Sequence, residues 1–222
     1  MKNSNRIVTE IIIIILIQSC TKEADNVIKD LDGNVYTSVT IGAQVWMVEN
    51  LKTTKYNDNT AIPLVTDIAQ WEALSTPAYC WYNNDAVNKD TYGGLYNWYA
   101  VNIGKLCPTG WHIPTDAEWT TLTTYLGGEV VAGGKLKETG TTHWMTPNTG
   151  ATNETGYQAR PGGHRYIDGN FYDVGGIGYW WSATETEADT ALSRYISCIY
   201  CNLIGAIDRE DLGFSVRCVK DN

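Results

Sequence analysis

A chain of 222 residues is long enough for one domain with a tail and a real hydrophobic core. Its formal net charge of −9 and the absence of any Lys/Arg run argue against a nucleic-acid partner, because such binding rests on neutralising phosphates. A single apolar stretch occurs, close to the start, and no second one has the composition of a membrane span.

Lys2 and Arg6 precede an unbroken apolar run from Ile11 to Ile17. A spanning helix needs about 20 apolar residues, so the run reads as the core of a signal peptide. Ser19 and Cys20 follow, and Ile17-Gln18-Ser19-Cys20 resembles the lipobox of bacterial lipoproteins. Glu10 at the head of the apolar stretch and Gln18 within the box depart from that pattern; an ordinary secretory signal with a coincidental cysteine is the alternative. The resemblance implies a signal peptide over 1–19, a lipid on Cys20 and a lipidated tether over 20–31. Residues 1–19 carry a net charge of +1, so their removal leaves 203 residues at −10. Several acyl chains hold a protein on a membrane stably, at ~0.8 kcal/mol per buried methylene. The expected location is the cell envelope, lipid-anchored to the outer membrane. The acidic stretch Thr21 to Asp25 resembles the surface-export signals of some Gram-negative lipoproteins.

The globular part, 32–222, opens on the turn Asp32-Gly33-Asn34. Strands are predicted over 35–41 and 44–48, either side of Gly42-Ala43, with a further turn at 56–59. A short helix follows over 67–74: Asp67 can cap it, and Ile68, Trp71 and Leu74 share a face. Residues 79–82 read as a buried strand, 83–94 as polar loop and 95–101 as aromatic-rich structure. Thr115 and Glu118 have capping-box spacing, which predicts a helix over 116–126 carrying Trp119, Leu122 and Leu126 and stopped by Gly127-Gly128. From Glu129 to Gly178 the Gly, Thr and Asn content predicts long loops with short strands. The remaining strand candidates are 179–183, 193–200 and 214–219. No internal repeat is present.

The aromatic content is lopsided, with nine Trp and fourteen Tyr against two Phe. Such residues suit half-buried positions and sugar-facing surfaces, or a core in a domain with little regular structure. If Cys20 is lipidated, Cys80, Cys107, Cys198, Cys201 and Cys218 remain in an oxidising compartment, an odd number that leaves one thiol over. His112 reads as core, while His143 and His164 fall in predicted loops. None has a partner at metal-ligand spacing, so neither a metal nor a cofactor is expected.

Eight segments, in order, resemble the Fibrobacter succinogenes major paralogous domain, common in surface proteins of Bacteroidetes and Fibrobacteres. They are Asp32 to Tyr36, Ile41 to Leu51, Gly93 to Trp98, Cys107 to Trp119, Gly134 to Lys137, Pro161 to Arg165, Gly178 to Ser182 and Gly213 to Cys218. The resemblance implies an α+β fold: a variant of the C-type lectin-like fold, shared with formylglycine-generating enzymes, with short antiparallel strands, two helices and long loops. It also implies a Cys107–Cys218 disulfide, since the helix-leading segment and the last strand lie together in that fold.

No catalytic constellation stands out. Cys198-Ile199-Tyr200-Cys201 is a C-x-x-C that reads as a redox pair, half a metal site or an exported disulfide involving Cys80. It also lies roughly where formylglycine-generating enzymes carry functional cysteines, although the spacing differs. The triplets with which calcium-dependent lectins bind sugar are missing. A calcium-free site remains, for which Trp144, Arg160, His164, Arg165, Tyr166, Asp168 and Tyr172 in the loops of 143–173 are the candidates. The leading expectation is a non-catalytic surface lipoprotein that binds a glycan or a protein. The alternatives are an enzyme using Cys198 and Cys201, and a structural envelope protein, which predicts no concave aromatic face in 143–173.

Overall fold

The computed structural model describes residues 27–221. The expected signal peptide, the expected lipidation site Cys20 and the expected tether up to residue 26 lie outside the described residues.

The fold is mixed α+β, built from several small antiparallel sheets. It begins ahead of the Asp32 turn. β1 (Ile28–Lys29) pairs with β2 (Val35–Tyr36), so the end of the expected tether belongs to the folded unit. Asp30 builds this hairpin: its carboxylate accepts from the Asp32 and Asn34 amides and from the Tyr36 hydroxyl at 2.7 Å.

The hairpin β3 (Ser38–Ile41) and β4 (Gln44–Met47) turns at Gly42, whose φ of +62° suits a residue without a side chain. The capped helix α1 (Ile68–Glu72) is shorter than expected, and Asp67 accepts from the Gln70 amide at 2.9 Å as anticipated. β5 (Tyr79–Cys80) pairs with β6 (Leu95–Tyr96). The intervening stretch, expected as loop, contains two short 3-10 turns and α2 (Lys89–Tyr92). α3 (Trp98–Asn102) is capped by Asn97, and β7 (Trp111–His112) leads into α4 (Asp116–Tyr125). Both halves of the capping box form: Glu118 accepts from the Thr115 amide at 2.8 Å, and the Thr115 hydroxyl accepts from the Glu118 amide at 3.3 Å.

The segment from Glu129 departs from expectation, since its start is the helix α5 (Glu129–Leu136). Gly133 and Gly134 read locally as helix breakers. In the fold they permit a close approach: a Cβ on Gly133 would collide with the Asn202 carbonyl oxygen, and one on Gly134 would lie 2.6 Å from that of Gly150. Among the described residues there are five α-helices rather than two.

β8 (His164–Arg165) and β9 (Phe171–Tyr172) form another small hairpin. β10 (Ile177–Glu187), β11 (Thr190–Ser197) and β12 (Ile204–Arg209) form a three-stranded meander, of which β12 was not expected. β13 (Val219–Lys220) completes a four-stranded sheet in the order β3-β4-β13-β7. Val219 lies between Trp46 and His112, so the last strand is stitched to the start of the domain. The Cys107–Cys218 disulfide closes the same region across 111 positions.

Seven of the nine tryptophans are essentially inaccessible, so the aromatic excess mostly builds core. Trp46, Trp119 and Tyr157 pack together, with Trp46 and Trp119 ring centroids 4.8 Å apart. A second cluster holds Trp98, Trp181 and Phe214. Three of the buried indole nitrogens find partners in long-range elements: Trp98 donates to the Ser182 carbonyl, Trp181 to that of Tyr96 and Trp180 to the Asn50 side chain, whereas those of Trp71 and Trp119 have none among the described residues. Buried cations tie the loops to this core. Arg217 donates to Asn50 Oδ1 and the Tyr157 carbonyl and lies over the Tyr157 ring. Lys137 donates to the carbonyls of Thr149, Ser197 and Tyr200.

Candidate functional site

The structure separates the seven sequence candidates into three groups. Trp144 and Arg165 are core residues, 1% and 0% exposed, and present no surface to a ligand. Trp144 donates to the Ala159 carbonyl. Arg165 donates to the carbonyls of Val65, Thr66, Asp67 and Gly169 and is sandwiched by Trp71 and Phe171, so it fastens two loops together. Arg160 belongs to a separate surface cluster with Glu138, the Thr91 carbonyl and His143, whose Nδ1 lies 2.6 Å from Glu138.

The other four come together. β8 and β9 place His164 opposite Tyr172. The His164 ring lies 6.0 Å from Tyr166, 5.8 Å from Tyr172 and 4.9 Å from Tyr179. Tyr179 lies opposite Tyr195 in the meander, with ring centroids 5.7 Å apart. The result is a continuous aromatic face. Tyr166 and Tyr172 are 43% and 42% exposed, and Tyr179 and Tyr195 are half-buried. Phe214 supports it from below, stacked on Tyr179 at 4.9 Å.

Carboxylates line this face. Asp168 accepts from the Tyr172 hydroxyl at 2.8 Å and the Asn170 amide at 2.9 Å. Asp173 accepts from the Tyr179 hydroxyl at 3.1 Å and lies 3.4 Å from His164 Nδ1. Asp208 accepts from the Ser193 hydroxyl. Hydrogen bonds from the Asn170 amide and Tyr172 hold Asp168 below the usual carboxylate range. Burial pushes Asp208 up. Burial also lowers the His164 pKa, against the opposing pull of Asp173, Asp208 and Asp168, and keeps the imidazole neutral at neutral pH.

Asp173, Tyr179, Ser193, Tyr195 and Asp208 were missed as site residues. For the four that lie in strands the signal was period-two alternation; Asp173, between β9 and β10, carried none. Tyr179, Ser193, Tyr195 and Asp208 share one face of the meander, while Trp180 and Arg194 point to the other, where Arg194 pairs with Asp116.

Two cavities lie elsewhere. One, of about 1100 Å³, adjoins the β1–β2 hairpin and is lined by Val27, Leu31, Val35, Trp111 and Lys220. A smaller one, about 290 Å³, includes Asn50, Asp90, Gln158, Arg160 and Arg217. Neither is lined by Cys198 or Cys201. Those two thiols and that of Cys80 are unpaired, so among the described residues three cysteines are free rather than one. Cys80 and Cys198 are buried, and burial raises the Cys80 thiol to about 12. Cys201 is half-exposed, with its sulfur 3.5 Å from the Thr149 carbonyl oxygen. No group of three or more His, Cys, Asp or Glu side chains suited to a metal occurs among the described residues. No described helix is long and apolar enough to cross a membrane.

His112 corrects another expectation. It is half-exposed rather than core, and bridges Asp221 at 2.6 Å and Glu118 at 2.8 Å.

The sequence profile of the Fibrobacter succinogenes major domain matches residues 39–220. The chain belongs to this family. The family match covers β3 through β13 and so includes the whole aromatic face, whereas the β1–β2 hairpin precedes it. Comparison with curated proteins and with solved structures gave no match.

Proposed function

We propose that this member of the Fibrobacter succinogenes major domain family is a non-catalytic binding lipoprotein. It is lipid-anchored through Cys20 to the outer membrane, and its domain is a variant of the C-type lectin-like fold. The observation that carries the binding role is the continuous face of Tyr166, Tyr172, Tyr179 and Tyr195 with Asp168 and Asp173 at its edge. Open aromatic surfaces with oriented acceptors suit a glycan or a protein ligand better than a small molecule needing enclosure. The lectin-like reading is supported by the short antiparallel sheets and by the pairing of the last strand with the first hairpin of the family match. The signal sequence and Cys20 support the anchor.

Two measurements test this. Intact mass of the protein from its native membrane should equal residues 20–222 plus acyl chains; an unmodified Cys20 overturns the anchor. Glycan and surface-protein arrays should yield a ligand whose binding is lost in Tyr166→Ala/Tyr172→Ala, and a ligand indifferent to that change overturns the site.

The enzyme alternative requires Cys198 and Cys201 to be free and near a cleft; the two are unpaired, but Cys198 is buried and neither lines a cavity, so it stands second. Under it, Cys201→Ser abolishes a thiol-dependent activity and leaves ligand capture by the aromatic face intact. Under the binding reading, capture is the function that matters and Cys201→Ser is silent.

A further inference from the structure

The larger cavity, beside the β1–β2 hairpin, is amphipathic. Three of the large apolar side chains that the fold leaves exposed lie in its lining: Val27, Leu31 and Val35, at 55%, 50% and 49%. The half-buried Trp111 extends this apolar surface from β7. Lys29 and Lys220 line the same cavity, and both are exposed. Every other Lys or Arg among the described residues is paired with a carboxylate, buried against carbonyl oxygens or, for Lys89, set over the Trp81 ring. The one carboxylate in the lining, Asp30, is buried and turned to its own hairpin, where it accepts from Asn34 and Tyr36. The cavity also lies where the chain enters the folded unit. Six residues, 21–26, connect Val27 to Cys20. At about 3.5 Å per residue their reach is roughly 25 Å at most, against about 40 Å for the breadth of a domain of this size. A lipid on Cys20 therefore holds the Val27 side of the domain toward the bilayer.

Resting on the lipid anchor at Cys20 just proposed, we infer that this cavity docks on the bilayer that holds the anchor, with Val27, Leu31, Val35 and Trp111 in the headgroup region and Lys29 and Lys220 on anionic lipid phosphates. Apolar side chains at the boundary of headgroup and acyl chain, and lysines beside anionic headgroups, are separate sources of attraction that act together here. Lysine suits such a site because its methylene stem lies along apolar surface while the ammonium reaches a phosphate. The net charge of −9 repels an anionic surface, which confines the contact to the face where the unpaired lysines gather. The connecting residues Thr21 to Asn26 contain no apolar side chain larger than alanine, so they do not supply what the apolar wall lacks. That wall, the β1–β2 hairpin, precedes the family match, so the docking surface is built partly from an extension of the family domain. Docking sets the orientation of the domain on the membrane.

The test is an acetylation footprint of the protein purified from its native membrane and added to preformed vesicles, of phosphatidylcholine alone or with about 30% phosphatidylglycerol. Peptide mass spectrometry reads the rate at each lysine. Lys29 and Lys220 are expected to react at least about threefold more slowly on the anionic vesicles, while Lys135, paired with Glu154 outside the cavity, changes by less than about 1.5-fold. Leu31→Ser/Val35→Ser alters two exposed side chains, keeps the lysines and should remove most of that protection. Near-UV circular dichroism confirms that the variant is folded. Equal rates at Lys29 and Lys220 on the two vesicles overturn the inference, whether the cavity is then open or covered by the tether or a second copy. So does protection that persists in Leu31→Ser/Val35→Ser, which means nearness to a charged surface without seating. The intact mass of the same preparation reads the anchor separately. If Cys20 carries no lipid the anchor falls, and co-sedimentation with the anionic vesicles decides the docking. Pelleting of the wild type but not of Leu31→Ser/Val35→Ser then upholds it, and equal behaviour of the two overturns it.

Discussion

Single residues show how far type and position diverge in this chain. Arg165 and Trp144 have the chemistry of a binding residue, yet both are spent inside. Arg165 satisfies four carbonyls of chain that has no regular structure. Its removal leaves those acceptors dry at roughly 1–3 kcal/mol each, so Arg165→Ala should cost at least about 3 kcal/mol in urea denaturation. A loss below about 1 kcal/mol would mean that water replaces the guanidinium readily. His112 gives a pH dependence. Its burial would lower the imidazole pKa, but the bonds to Asp221 and Glu118 outweigh that and raise it. A raised histidine stabilises the fold fully below its ordinary value of about 6.5, and the contribution fades as pH rises through the higher folded-state value. The stability difference between wild type and His112→Gln should therefore be larger at about pH 5.5 than at about pH 9. An unchanged difference would show that the two carboxylates hold the ring equally well when neutral.

At the scale of elements, local rules succeeded wherever a side chain closes its own turn. The Thr115–Glu118 box and the Asp67 cap are short-range devices, and both helices they start are present. α5 was illegible because its two inner glycines lower helix propensity by about 1 kcal/mol each. What stabilises it is contact with backbone far along the chain, at Gly150 and at residues 201–202. Gly133→Ala should consequently be far more damaging than the ordinary helix rule suggests, since adding a methyl group to a helix normally helps. The expected outcome is a loss of several kcal/mol or insoluble protein, against about 1 kcal/mol for Gly104→Ala, where a Cβ meets nothing and only the positive φ is strained. Comparable stabilities for the two variants would show that the loop at Asn202 yields.

For the molecule as a whole, the closing device is the pairing of β13 between β4 and β7, covalently locked by Cys107–Cys218. A loop of 111 positions contributes close to about 5 kcal/mol in the chain-entropy account. Cys107→Ala/Cys218→Ala should lose most of that amount, and reduction of the wild type should reproduce the loss. A shift of less than about 1 kcal/mol would mean that the reduced, unfolded chain is already compact. The three remaining thiols leave that bond unchallenged, and Cys80 is too deeply buried to react while the domain is folded.

The sequence alone determined the family, the mixed α+β class and the capped helices, while the disulfide was only what the family resemblance implied. These depend on ordered motifs and on contacts within a few residues. It also offered seven candidates for the proposed binding face, of which the structure brings His164, Tyr166, Asp168 and Tyr172 together. Only the tertiary structure decided which aromatic rings are core and which are surface. It alone brought Tyr179, Tyr195 and Asp208 beside them, because burial and neighbourhood across a sheet are properties of strand register, and composition does not encode register.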